Sequence, residues 1–168
     1  MSDMTRLERI TIDAGTALVS LEGIPQLPAL EKINLLHISA NDLTPLTALS
    51  GLKVLMMQAS TLQDLSPLSQ LANLREVSFN QSTLKDLSPL ASCQKLLSLG
   101  LSKTKGVDES TLAKLTQVEK IFLNGAEIKD LAPLKALPNL KTLSVDKGAF
   151  PEEALQGFAN PQITIRVN

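Results

Sequence analysis

The sequence predicts an α/β solenoid of about eight stacked turns, each contributing one short strand, and three observations carry that reading. Leu52, Leu74 and Leu96 are 22 residues apart, and Val118 and Leu140 continue the series. An apolar-x-apolar pair, the spacing of side chains on one face of a strand, recurs from Ile10/Ile12 to Ile165/Val167, first after 23 residues and then every 22. Leu fills 33 of the 168 positions while there are four Phe and neither Tyr nor Trp, so aliphatic packing must build the core. A 22-residue unit cannot bury its own Leu set, whereas stacked copies share one continuous interior.

The turns follow in order. The first carries Ile10/Ile12, and the second Ile33/Leu35 with a weak corner at Leu43-Thr44-Pro45-Leu46. Leu52, Leu55, Met57, Leu62, Leu65, Leu68 and Leu71 of the third turn match Leu74, Val77, Phe79, Leu84, Leu87, Leu90 and Cys93 of the fourth. Their corners, Asp64-Leu65-Ser66-Pro67-Leu68 and Asp86-Leu87-Ser88-Pro89-Leu90, recur in the sixth turn as Asp130-Leu131-Ala132-Pro133-Leu134. The Pro has no N–H and a fixed φ, which suits a tight corner. The Asp two residues before the Ser-Pro or Ala-Pro step can accept backbone N–H bonds there. The fifth turn, with Leu99/Leu101, lacks the Pro corner, and residues 108–115 predict a short capped helix. Ile121/Leu123 and Leu143/Val145 open the sixth and seventh turns, and residues 151–158 repeat the helical reading. Residues 163–167 alternate as a terminal edge strand around Ile165/Val167.

L-x-x-L-x-L followed by D-L-S-P-L resembles the leucine-rich repeat family in its bacterial, internalin-like 22-residue form, over one domain spanning essentially residues 1–168. The resemblance implies a parallel strand per turn on a concave face, a mostly 3₁₀ or extended convex side with one or two short helices, and binding of a protein partner through the concave sheet. The family carries Asn three residues after the second strand apolar residue. Here that column reads Gly15, Ile38, Ser60, Ser82, Thr104, Ala126 and Gly148, so three hydroxyls are expected to replace part of an Asn ladder.

Strand alternation assigns the outward columns. The middle one reads Thr11, Asn34, Met56, Ser78, Gly100, Phe122, Ser144 and Arg166, and the next Asp13, Leu36, Gln58, Asn80, Ser102, Asn124, Asp146 and Asn168. The column before the strand pair includes Val54, Glu76, Ser98 and Lys120. Leu36, Val54, Met56 and Phe122 are the expected exposed apolar residues. The first three lie in adjacent turns and are expected to form one patch, with Phe122 three turns, roughly 14 Å, from Met56. Leu36, Val54, Met56, Gln58, Asn80, Phe122 and Asn124 are the candidate protein-binding residues.

The inventory points away from an enzyme. His37 is the one histidine, and with Ala14 and Ala59 in the equivalent places of the flanking turns no carboxylate is expected beside it. Cys93 takes a slot filled elsewhere by Leu49, Leu71, Leu115 and Leu137, which predicts a buried, inert thiol. Asp64, Asp86 and Asp130, one per turn, lack the dense oxygen ligation of a calcium site and are expected to cap turns. No Gly-rich phosphate loop is present, and no cofactor or metal is expected. The net charge is −1, from −3 over residues 1–84 and +2 over residues 85–168. Lys103, Lys120, Lys147 and Arg166 are expected to form a solvated rim, and without aromatic platforms they do not predict nucleic-acid binding. No run approaches 18 apolar residues, and Met1-Ser2-Asp3-Met4-Thr5-Arg6 lacks the apolar stretch of a signal peptide, so a monomeric cytoplasmic protein without membrane contact is expected. Two alternatives stand beside it: an exported effector or adhesin that needs no cleavable signal, and a structural subunit that self-associates through its end strands.

Overall fold

The computed structural model describes residues 6–13, 15, 21, 27–38 and 42–168; the expectations placed on residues 1–5 and on Ala14 lie outside the described residues. Eight strands form one open parallel sheet in strict sequence order. They are β1 (Arg9–Asp13), β2 (Lys32–Leu36), β3 (Val54–Gln58), β4 (Glu76–Ser78), β5 (Ser98–Gly100), β6 (Lys120–Phe122), β7 (Thr142–Val145) and β8 (Thr164–Val167). Each begins one residue before an apolar-x-apolar pair, so the 22-residue period appears directly as register. Asn34 pairs with Met56, Met56 with Ser78, Ser78 with Gly100, Gly100 with Phe122, Phe122 with Ser144 and Ser144 with Arg166. The middle outward column of the sequence is thus a row across the concave face.

The inward residues make the core. Ile33, Leu35, Leu55, Met57, Val77, Phe79 and Leu99 are fully buried, and the convex-side Leu46, Leu68, Leu90, Leu112 and Leu134 close the interior from behind. Pro places the corners as expected: 3₁₀ turns at Thr44–Ala48, Ser66–Gln70 and Ser88–Ser92, and a single α-helical turn, α1 (Ala132–Lys135), each carry Pro in the first two positions. The Asp before each corner accepts the N–H two residues on, Ser66 to Asp64 at 2.8 Å, Ser88 to Asp86 at 2.7 Å and Ala132 to Asp130 at 2.8 Å. Asp42 and Asp108 do the same for Thr44 and Ser110. The Asp86 carboxyl is held below its ordinary value by hydrogen bonds from Ser88, and that of Asp42 by hydrogen bonds from Thr44.

In the fifth turn the expected helix is 3₁₀ over Glu109–Lys114, capped by Asp108. Glu109 occupies the slot of Leu65, Leu87 and Leu131, and its carboxylate accepts the Lys129 and Asp130 amides of the next turn at 2.7 and 3.0 Å. A core position has become a tie between turns. The seventh turn is likewise 3₁₀, over Glu152–Leu155.

Three buried hydroxyls replace the missing Asn ladder. Ser60 Oγ accepts from the Ile38 amide (3.1 Å) and donates to Gln58 O, Ser82 Oγ accepts from the Ser60 amide (3.1 Å), and Thr104 Oγ1 donates to Phe79 O (3.1 Å). Just past the strands the backbone enters the left-handed region at His37, Ala59, Gln81 and Lys103 (φ 56°, 50°, 60° and 57°) and at Gly125 (φ 70°). The chain therefore repeats a disfavoured conformation every 22 residues, mostly without glycine.

Candidate protein-binding surface

The concave face is a shallow sheet of mixed polar and apolar side chains, indented near its middle. Over β4 and β5 lies a depression of about 260 Å³ with Met56 on one side and Phe122 on the other. Its floor is low because Ser78 and Gly100 stand side by side in the row between the larger Met56 and Phe122. A Cβ on Gly100 would lie 2.8 Å from Ser78 Oγ. Gln58, Glu76, Asn80, Ser98 and Ser102 supply its polar rim. Ser78 is 7% exposed, and its hydroxyl has no hydrogen-bond partner. Asn34 Oδ1, in the same row, is also unpartnered.

Of the candidates read from sequence, the depression unites Met56, Gln58, Asn80 and Phe122. It leaves out Leu36, Val54 and Asn124. Leu36 and Val54 do not form one patch. Val54 pairs with Lys32 and Glu76 at the start of its strand, while Leu36 pairs with Gln58 at the other end. Four residues of strand, about 13 Å, separate those positions in register. Val54 instead borders a charged recess of about 410 Å³ with Glu8, Arg9, Glu31, Lys32 and Lys53. All four apolar candidates are half-buried; among the described residues the exposed large apolar side chains are Leu97 (42%) and Val167 (50%). Their columns explain the difference: Leu97 replaces a charged residue between turns, and Val167 lies on an end strand. Ser78, Gly100, Ser98 and Glu76 were not singled out from sequence. The signal was available, since they are the small residues and the lone acid of the columns between Met56 and Phe122.

Asn124 is committed to the scaffold. Its Oδ1 accepts from Ser144 Oγ (2.9 Å), its Nδ2 faces Asp146 Oδ1 (3.3 Å), and Asn168 Nδ2 donates to Ser144 Oγ (2.9 Å). Asp146 also accepts from the Gly125 amide. Asn80 is partly committed, accepting from the Ser102 amide at 2.9 Å.

The expectation for His37 is corrected: Asp13 Oδ1 lies 3.1 Å from His37 Nδ1. The equivalent slots of the flanking turns hold Ala14 and Ala59. The partner comes from one position earlier, because the register sets Asp13 opposite Leu36 and the left-handed backbone at His37 swings the ring back over β1. The Asp13 carboxyl is held low by the Gly15 amide first and by His37 second. Both side chains are more than half exposed, and neither touches the depression. Cys93 is fully buried, its thiol donates to Leu68 O at 3.2 Å, and burial pushes it up to about 11. Among the described residues no group of three His, Cys, Asp or Glu could hold a metal ion, and no helix is long and apolar enough to cross a membrane.

No protein-family model and no curated protein sequence matches the chain. Solved structures do. An internalin (inlF) of Listeria monocytogenes is 28% identical, with a TM-score of 0.69 over 86% of this chain and 44% of that one. Internalin C2 of the same organism is 20% identical, with a TM-score of 0.61 over 89% of this chain and 66% of its own. A leucine-rich repeat protein of Leptospira interrogans is 18% identical, with a TM-score of 0.67 over 97% of this chain and 44% of its own. At 20% and 18% identity the latter two show the fold alone. The chain thus spans less than half the length of two of these proteins and 66% of the third. One strand per 22-residue turn, Pro corners on the convex side and this structural likeness together make the chain a leucine-rich repeat solenoid of the internalin-like type, a fold suited to protein interaction.

Proposed function

We propose that the protein binds a protein partner through the concave face, with the middle turns β3 to β6 as the contact region. The depression between Met56 and Phe122 carries this reading, because it is the place where apolar side chains, a low floor and an unpartnered hydroxyl converge. A stacked array offers a surface formed before contact, so association costs little ordering entropy and specificity resides in the outward columns. The chemistry supplied is recognition, with no catalytic step assigned to any residue.

The reading is tested by placing a benzophenone amino acid at Ser98 on the concave face or at exposed Ala72 on the convex side, then irradiating both proteins in lysate of the source cell. A discrete adduct at Ser98 and none at Ala72 is expected. The same adduct from Ala72 alone would move the interface to the convex side. A second reading, association of copies through the end strands, draws support from half-exposed Val167 on β8. Sedimentation across a hundredfold range of concentration tests it, a constant monomer removing that class.

A further inference from the structure

We propose that the depression over Gly100 is an anchor subsite for one basic side chain, arginine or lysine, of the protein partner; this rests on the concave face being the binding surface. Its volume of about 260 Å³ is below the roughly 300–1,000 Å³ of small-molecule sites, which suits a single side chain better than a cofactor or substrate. Met56 and Phe122 give the aliphatic stem of such a residue an apolar bed, and an aromatic ring beside a cationic head attracts it. Glu76 is the one charged residue lining the depression, and among the described residues it makes no ion pair. Val54 and Ser98 stand on either side of it in register, so no neighbouring strand neutralises it. This contrasts with Glu31 and Glu119, each paired with a Lys one turn on. Ser78, 7% exposed, directs an unpartnered hydroxyl toward the space beside Gly100, where a donor would satisfy it.

These features count against apolar and acidic side chains, and the unpaired carboxylate favours a charged donor over a neutral one. A neutral apolar residue would cover Glu76 and Ser78 without pairing either, and an acidic residue would meet the Glu76 carboxylate. Lys32 and Lys120 each lie two strands from Glu76 in the same column, about 10 Å away on either side, so neither occupies the place a cationic head would take beside it.

The test selects a phage-displayed random dodecamer library on the full chain and measures the consensus peptide against four proteins: wild type, Glu76→Gln, Phe122→Glu and Gly100→Ala. The expected consensus holds one Arg or Lys. Glu76→Gln is expected to weaken it about tenfold. Replacing that peptide residue by norleucine should cost the same, with no further loss on Glu76→Gln. Gly100→Ala, which intrudes on the floor, should also weaken binding. If it fails to fold, Glu76→Gln alone decides, since that side chain is not in the core. An apolar or acidic consensus, unchanged binding to Glu76→Gln, or no selected peptide would overturn the subsite. Binding lost in Phe122→Glu yet indifferent to Glu76→Gln would sink the basic anchor and leave the concave reading standing. Indifference to both would sink the two together.

Discussion

The middle turns and the C-terminal turns of this solenoid are tied together by different atoms. Between β3 and β5 the turns are joined inside the array, where Ser60, Ser82 and Thr104 pair with the backbone. From the sixth turn on, that column offers Ala126 and Gly148, whose side chains carry no hydrogen-bonding group. There the polar linkage moves outward to Asn124, Ser144, Asp146 and Asn168 on the concave rim. Interior bonding in the middle leaves Ser78 and Glu76 uncommitted in the lining of the depression, while rim bonding at the end consumes the groups that would otherwise face a partner. A repeat protein thus trades recognition against cohesion turn by turn.

The largest effect should come from the interior of the middle. Leu87→Ala empties a fully buried site and is expected to cost about 2–5 kcal/mol in urea unfolding, whereas Leu155→Ala, half-buried near the C-terminal end, should cost clearly less. Equal sensitivity would mean that the two regions are packed alike.

Next comes the hydroxyl column itself. Ser82→Ala removes the acceptor for the buried Ser60 amide and is expected to cost about 1–3 kcal/mol. Asn124→Ala breaks rim bonds that water can replace and should cost about 0.5–1.5 kcal/mol. If the rim variant proved the more damaging, cohesion would reside outside the array in both regions.

A smaller change of opposite sign is expected at the left-handed column. Ala59→Gly relieves strain at φ 50° and is expected to raise stability by about 0.5–1 kcal/mol, readable as a higher Tm. Gly125→Ala should lower it, since the added Cβ would lie 2.9 Å from Lys103 Cγ.

The smallest concerns acid. Asp42 and Asp86 titrate below their ordinary value of 3.8 in the folded chain, so their contribution is complete above that value and is lost as pH falls through the lower folded one. Urea midpoints should decline as pH falls below about 4, and an Asp42→Ala/Asp86→Ala variant should decline less steeply. An unchanged slope would show that the corners are held by Pro alone.

Much of this was legible in the residues. The eight strands, the rows facing outward, the buried thiol of Cys93 and the capping role of the Asp corners follow from a period of 22 and from what Pro and Asp do in turns. Part of the candidate surface was legible too, because Met56 and Phe122 are large apolar residues in a small, polar row. The opposite ends taken by Leu36 and Val54 were legible as well, since the outward columns set Val54 before the strand pair and Leu36 after it. The ion pair of Asp13 with His37 was not, because a column gives a side chain's row and not its reach.

What the sequence determined by itself is the stacking: a side-chain period of two along each strand and a repeat of 22 leave one way to bury the leucines. What tertiary structure alone decided is which polar groups find each other. Asp13 meets His37, Asn124 meets Ser144, and Ser78 meets nothing. Such pairings turn on an ångström of reach across strands about 4.8 Å apart. The repeat places every side chain in its row, and only the folded backbone sets how far each reaches.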